Sequence, residues 1–250
     1  LAQRIDTTKE KTMFKRLLLT VAVAALALLF GFGSTSYILA SNTRMPHDKP
    51  VLAKKFSGWE YRAFQAVYAT GRTSPRITVS VESTLQGRPE LEQALHEQRG
   101  EAERLFQAHE QITAVVIPDT PLAPEQLRAF ASRHAAQITG YTMIAQSTQG
   151  EIITLFGAPK GDEIFPESAL KSLTQGIEAN QHTSLTLRGI VAINASVDAA
   201  SFSSISQDVQ ILGIDITSAI ASDDLAKAQQ IDPAQIDIIP APLYWANVAQ

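Results

Sequence analysis

The stretch ITAVVIPDTPLAPEQLRAFASRHAA, residues 112–136, reads in three pieces. Ile112 to Pro118 is a run of β-branched and small apolar residues, the composition of a strand. Asp119-Thr-Pro-Leu-Ala-Pro124 is a turn rich in proline. From Pro124 the spacing changes. Leu127, Phe130, Ala131 and His134 recur along one side of a helix to about Ala136, with proline at its first position.

The chain that follows keeps this rhythm. Ile138–Gln146 and Glu151–Phe156 read as two strands joined across Ser147-Thr-Gln-Gly150, a hairpin signal. Gly157-Ala-Pro-Lys-Gly161 is a loop, and Pro166 opens a helix with Leu170, Leu173 and Ile177 at helical spacing, ending near Asn180. Leu185–Val197 is the longest β-prone segment, and Asp198 can cap a short helix over Ala199–Ile205. Val209–Ile216 is a buried-strand candidate. Ser222 is placed to cap a helix over Asp223–Gln230, and Ile236–Ile239 forms a last strand. The order from residue 112 is β-α-β-β-α-β-α-β. Interleaved strands and helices with short loops predict an α/β (α+β) fold: a ferredoxin-like sandwich, a mostly antiparallel sheet with helices on one face.

Upstream, a polar helix is expected from Pro89 to about Gln111, with Leu91, Leu95, Ala102, Leu105 and Phe106 on its apolar side. Gly100 weakens it in the middle, and Arg99–Glu103 is an i,i+4 pair on a solvated face. Ile77–Val81 alternates as a strand after the turn Gly71–Pro75. Phe56, Trp59, Ala63 and Val67 follow helical spacing, so a helix is expected over Phe56–Tyr68. Its aromatics either pack into the domain or lie at a membrane, where Lys54, Lys55 and Trp59 suit the headgroup zone.

The most apolar run is Leu17–Phe32, continued to Ala40, with Lys15 and Arg16 directly before it and no charge from Leu17 to Thr43. Its length and basic flank predict a transmembrane signal-anchor over 17–40, N-terminus inside. A signal peptide cleaved near Ala40, or a buried helix, are the other readings of the same run. The division that follows is a short cytoplasmic segment 1–16, the span 17–40, a juxtamembrane linker and helix 41–75, and an extracytoplasmic α/β domain 76–250. The first residue is Leu, whereas Met13, leading at once into Phe14-Lys15-Arg16, has the features of a natural start.

Composition excludes several classes. The 250-residue chain has no cysteine, which removes disulfides, thiol nucleophiles and cysteine metal sites. A net charge of −4 supplies no global positive field to draw nucleic acid. These facts fit a bacterial exported domain that stands on its own core.

Two stretches resemble a known family. Ala114-Val-Val-Ile-Pro-Asp-Thr-Pro-Leu-Ala-Pro-Glu-Gln-Leu127 and Leu187-Arg-Gly-Ile-Val-Ala-Ile-Asn-Ala-Ser-Val-Asp198 are similar to the extracytoplasmic C-terminal domain of membrane-bound sigma-factor regulators. With the single N-terminal span, the likeness covers roughly residues 13–216. It implies an outer α/β domain with a regulatory or sensory role. Such regulators also carry a cytoplasmic part that holds the sigma factor, and here at most 16 residues precede the span.

The chemistry-bearing motifs do not converge. Ser168-Ala-Leu-Lys171 matches Ser-x-x-Lys, but the companion Ser-Asp-Asn and Lys-Thr-Gly elements are missing. His96-Glu97 and His109-Glu110 suggest a metal, yet a zincin needs a second His four residues on, and position 100 is Gly. His47, His134 and His182 are scattered. Asp162, Glu163 and Glu167 could bind a hard cation, but acids at a helix start are ordinary capping. Asn194-Ala-Ser196 matches a glycosylation sequon but lies inside a predicted strand. No Gly-x-Ser-x-Gly elbow or Walker A loop occurs. Tyr244 and Trp245, behind Pro240 and Pro242, are either a contact surface or core.

The expectation is a non-enzymatic, membrane-anchored extracytoplasmic domain that acts through protein contacts, without catalytic residues, cofactor or metal. Its partners are the membrane, through one span, and an unidentified protein. The alternatives are an accessory subunit of a larger membrane complex, and an exported inhibitor or chaperone-like domain.

Overall fold

The computed structural model of the chain describes residues 52–56, 59–66, 77–83, 87–233 and 236–239. The expected span with Lys15 and Arg16, the linker before Val51, and Tyr244-Trp245 all lie outside these residues. Among the described residues no helix is long and apolar enough to cross a membrane.

The strands are β1 (Leu52–Phe56), β2 (Trp59–Ala66), β3 (Ile77–Ser83), β4 (Ile112–Pro118), β5 (Gln137–Ser147), β6 (Ile152–Gly157), β7 (Leu185–Val197), β8 (Ile211–Asp215) and β9 (Ile236–Ile239). The helices are α1 (Arg88–Ala108), α2 (Pro124–His134), α3 (Glu167–Gln181), α4 (Ala199–Ser206) and α5 (Thr217–Gln229). Among the described residues the fold is α/β, with five helices and a five-stranded antiparallel sheet of order β6-β5-β7-β4-β8.

Why these segments pair is visible in their burial. Ala114–Pro118, Gly140–Ala145 and Gly189–Ile193 are buried without a break. A strand buried at every position is covered on both faces. Directly paired residues of antiparallel strands share a face, so the chain Tyr141↔Ile193↔Val116↔Ile214 marks one side of the sheet. On that side the Tyr141 ring stacks on Phe165, just ahead of α3, with centroids 5.2 Å apart. Gly213 and Asp215 face the other side, where Leu95 and Gln98 of α1 meet them. The expected cover on one face is therefore corrected to cover on both. The sequence pattern hid this because α1 precedes the β-α-β units and returns to their far side. Fully buried side chains such as Leu127, Met143, Ile193 and Ile220 form one core, each contributing roughly 1.5–3 kcal/mol.

The sheet has an internal likeness. β4-α2-β5 leaves one strand, crosses by a helix, and returns parallel two places away with β7 between. β7-α4-β8 does the same with β4 between. Exchanging β4 with β7 and β5 with β8 reverses the order β5-β7-β4-β8 into itself, an approximate two-fold through the central β4–β7 pair. The likeness ends at the borders. β6 pairs with the outer side of β5, whereas β8 has β4 as its one partner among the described strands.

Other expectations differ locally. β1 and β2 pair antiparallel, with Phe56 opposite Trp59 and Lys55 opposite Glu60, where a helix over Phe56–Tyr68 is predicted. Lys54, Lys55 and Trp59 thus sit on adjacent strands. Phe56, Trp59 and Ala63 fit a helix, but Trp59, Tyr61 and Ala63 also alternate, and aromatic residues favour strands. Pairing with β1 and β3 decides it. β9 pairs parallel to β3, from Ile77↔Ile236 to Ser80↔Ile239.

α5 begins at Thr217, six residues before the expected Asp223. Its start signal is Asp215, whose carboxylate accepts from the Thr217 amide at 2.9 Å and from the Thr217 hydroxyl at 2.6 Å. Ser222 lies inside the helix. Asp198 does cap α4, accepting from the Ser201 amide at 2.7 Å. The loop after β4 returns at Leu122, which exchanges two backbone hydrogen bonds with Ile190. Gly189 makes that approach possible. Its φ is +135°, and a Cβ there would lie 2.9 Å from the Leu122 carbonyl oxygen.

Candidate functional site

The residues singled out by motif do not assemble. Ser168 and Lys171 lie exposed in the first turns of α3. His96 is exposed on α1, and His182 sits exposed at the end of α3 in the left-handed region. Glu167 is an ion-pair partner of Arg128 at 2.9 Å. Asn194 pairs with both Val115 and Gly140, inside the sheet, where a glycan has no room. Among the described residues no three His, Asp or Glu side chains gather as a metal site.

Two polar clusters form instead from residues far apart in sequence. His134, at the end of α2, has a side chain 3% exposed. Its Nδ1 lies 2.8 Å from Ser204 Oγ on α4, and its Nε2 lies 2.8 Å from Asp208 Oδ2. Burial pushes the Asp208 carboxyl up. The Gln210 amide, His134 and Arg133 more than offset this, so it lies below its ordinary range. With Nε2 protonated, the ring donates to Asp208 and accepts from the Ser204 hydroxyl, a serine–histidine–aspartate chain. Acyl transfer also needs donors for an oxyanion. Ser204 lies in the last turn of α4, where backbone amides are taken up by the helix itself. The chain is a clamp between α2 and α4. The sequence held one sign of it: His134 falls on the buried side of α2, and a buried imidazole must find partners.

The second cluster surrounds Asp223 of α5, whose side chain is 7% exposed. It accepts from Arg104 Nη1 at 2.6 Å and Lys227 Nζ at 2.7 Å, and His109 Nε2 lies 3.4 Å away. Burial alone would raise its pKa, but these partners lower it to about 2. Beside it, Gln98 donates to Asp215 and Thr217 at 3.2 and 3.0 Å and accepts from the Ile216 amide at 2.6 Å. Both sets of bonds tie α1 to α5.

Among the described residues a groove open to solvent lies between α1 and α4. Ala102, Phe106 and Arg99 of α1 look across it at Phe202, Ser203 and Ala199 of α4, around a cavity of about 540 Å³. It continues into a cleft of about 180 Å³, where Leu95, His96 and Phe202 flank Leu212, Gly213 and Ile214 of β8. Phe106 and Phe202 meet edge to face, centroids 5.7 Å apart. A Cβ at Gly213 would lie 2.6 Å from Leu95 Cδ1, so Leu95 would have to shift to admit one. Val209, 93% exposed, precedes the strand. The groove therefore has an apolar lining, a charged mouth at Arg99 and Glu103, and a strand edge along one end. No family model, no curated protein and no solved structure matches the chain.

Proposed function

We propose that the chain is a membrane-anchored, extracytoplasmic domain that works without catalysis, by holding another protein in the groove between α1 and α4, in a sensory or regulatory role akin to that of the outer domains of sigma-factor regulators. The groove is the observation that carries this reading. It joins an apolar lining to a charged mouth between two helices. The anchor is supported by the uncharged run from Leu17 to Ala40 behind Lys15 and Arg16. The absence of cysteine suits a domain that stands outside without disulfides.

The ferredoxin-like reading of the sheet is supported by its element order, β-α-β-β-α-β from β4 to β7, and by crossovers that skip one strand. It departs at the centre. A ferredoxin-like sheet centres its first and third strands, whereas β5 and β7, the second and fourth, lie between β6 and β4 here. The likeness therefore extends to the β-α-β unit and not to the strand order.

The test is photo-crosslinking of the full chain in its native membrane, with the reactive side chain at Ser203 in the groove and, as a control, at Lys171 on α3. A discrete protein adduct from Ser203 that Lys171 does not give supports the reading. A set of membrane-complex subunits from both positions would favour an accessory subunit. A hydrolase activity that disappears in Ser204→Ala would overturn the non-enzymatic reading.

A further inference from the structure

We propose that Ser204 is a reactive serine, which accepts one acyl group from a thioester or an aryl ester with His134 as the base. The inference goes beyond the protein-contact reading and concerns another part of the domain. The ester it predicts is a modification of the chain, and no turnover follows.

The ground is the order of three groups. An activated hydroxyl has a base within hydrogen-bond reach and a third group that orients the base. Ser204 Oγ lies 2.8 Å from His134 Nδ1, and His134 Nε2 lies 2.8 Å from Asp208 Oδ2. Their burial is graded in the sense this chemistry needs. The His134 and Asp208 side chains are 3% and 5% exposed, whereas Ser204 is exposed. The nucleophile can meet a donor from solvent, and the base and carboxylate stay shielded from it.

The proton positions follow from Asp208. Burial opposes its charge, but the Gln210 amide, His134 and Arg133 outweigh that and keep it ionised. A carboxylate only accepts, so Nε2 carries the proton of the neutral ring and Nδ1 turns a lone pair to the Ser204 hydroxyl. The ring is held in this setting. Phe130 lies against it, centroids 4.8 Å apart, and Arg133 grips the same carboxylate oxygen at 2.5 Å.

The step balances without a cofactor. Ser204 Oγ attacks the acyl carbon of the donor while its proton passes to Nδ1. The carbonyl π pair moves onto oxygen and returns as the bond to the leaving thiolate or aryloxide breaks. The leaving group takes the proton from Nδ1 and departs as thiol or phenol. The acyl group remains as an ester on Ser204.

The surroundings select the donor and end the reaction. The amides around Ser204 are taken up by α4, so the helix offers no free donor to the oxyanion. One such donor is worth about 10²–10³ in rate, so the carbonyl must be activated by its own leaving group, and amides and alkyl esters react too slowly. After transfer the ester stands in front of Nδ1 while Asp208 holds Nε2. With the ring almost wholly buried, water reaches neither nitrogen and the ester is kept.

The probe is p-nitrophenyl acetate, added to the full chain in lipid nanodiscs, with nitrophenol release followed in time and the acetylated residue located by mass spectrometry. The expected result is a burst of one equivalent per chain, acetyl on Ser204 and no steady release. Ser203, exposed on the same helix, should be acetylated about a hundredfold more slowly or less. Ser204→Ala should abolish the burst. Asp208→Asn, whose amide can donate to Nε2 and so reverse the tautomer, should slow it about tenfold or more. His134→Gln should bring Ser204 to the rate of Ser203, with circular dichroism checking that each variant is folded. Equal acetylation of Ser203 and Ser204, a burst that survives Ser204→Ala, or an unchanged rate in folded Asp208→Asn would each overturn the proposal. The first comparison is made within the natural chain, so it decides even where a variant does not fold. Steady release abolished by Ser204→Ala would overturn the single step, and the non-enzymatic reading with it.

Discussion

Gln98 and Asp215 stand 117 residues apart in the chain and 3.2 Å apart in space, amide nitrogen to carboxylate oxygen, in a buried site. Through this pair the long first helix is fastened to the end of the edge strand. Gln98 also accepts from the Ile216 amide, so one side chain serves both the strand and the helix that follows. In Gln98→Leu the buried Ile216 amide loses its acceptor, at a cost of about 1–3 kcal/mol. Urea unfolding of the two proteins measures it. A loss under about half a kcal/mol would mean that another acceptor reaches this amide.

Acid should loosen the same helix pair through Asp223. Its carboxyl, at about 2 when folded against 3.8 ordinarily, binds fewer protons folded than unfolded. The stabilisation is thus complete above the unfolded value and is lost as pH falls through the folded one. The shift corresponds to about 2 kcal/mol, less whatever solvent screening takes from the partly exposed Arg104 and Lys227. Unfolding midpoints taken between about pH 5 and pH 2 should fall more steeply for the natural chain than for Asp223→Asn. Parallel slopes would show that Asp223 does not carry the effect.

The His134 clamp should behave as a unit. Ser204→Ala removes one hydrogen bond and should cost about 1 kcal/mol. His134→Ala also removes the ring packed on Phe130 and should cost about 2–4 kcal/mol. The double variant should fall short of the sum by 0.5 kcal/mol or more, in the order-of-magnitude range of coupled neighbours. Strict additivity in thermal unfolding would separate the two residues.

Space at Gly213 is a further check. Gly213→Ala drives a methyl group into Leu95 and should cost about 1–3 kcal/mol. Leu95→Ala makes room for it. If the second change does not recover part of the loss in the double variant, the packing of α1 against β8 described above is not the source.

How much of this could be read in advance depends on how local each signal is. Ile112–Pro118, Leu185–Val197 and Ile236–Ile239 form strands at the predicted bounds, because apolar β-branched runs between turns leave few alternatives. Asp198 was legible as a cap for the same reason. The start of α5 was not, since its signal, Asp215, sits at the end of an apolar strand and resembles strand residue rather than cap. The pairing of β1 with β2 is not legible because Trp59 and Ala63 satisfy both periods, and only the neighbouring strands choose between them. The groove lay beyond reach altogether. Phe106 and Phe202 meet through topology, and nothing in either local sequence points to the other.

The central β4–β7 pair bears on the order of assembly. Val116 pairs with Ile193 only after all of α2, β5, β6 and α3 have been looped out between them, and Val115 pairs with Asp215 across a still longer excursion. Such distant pairings pay their loop-closure entropy late and make for slow folding. The β5–β6 hairpin is local and can form early, whereas β8, with the fewest pairings and the longest loop to close in this sheet, is expected to join last. The walls and floor of the groove thus come together only at the final step, and its amides should be among the first in the sheet to exchange with solvent. A partner that recognises this groove would engage only completed molecules.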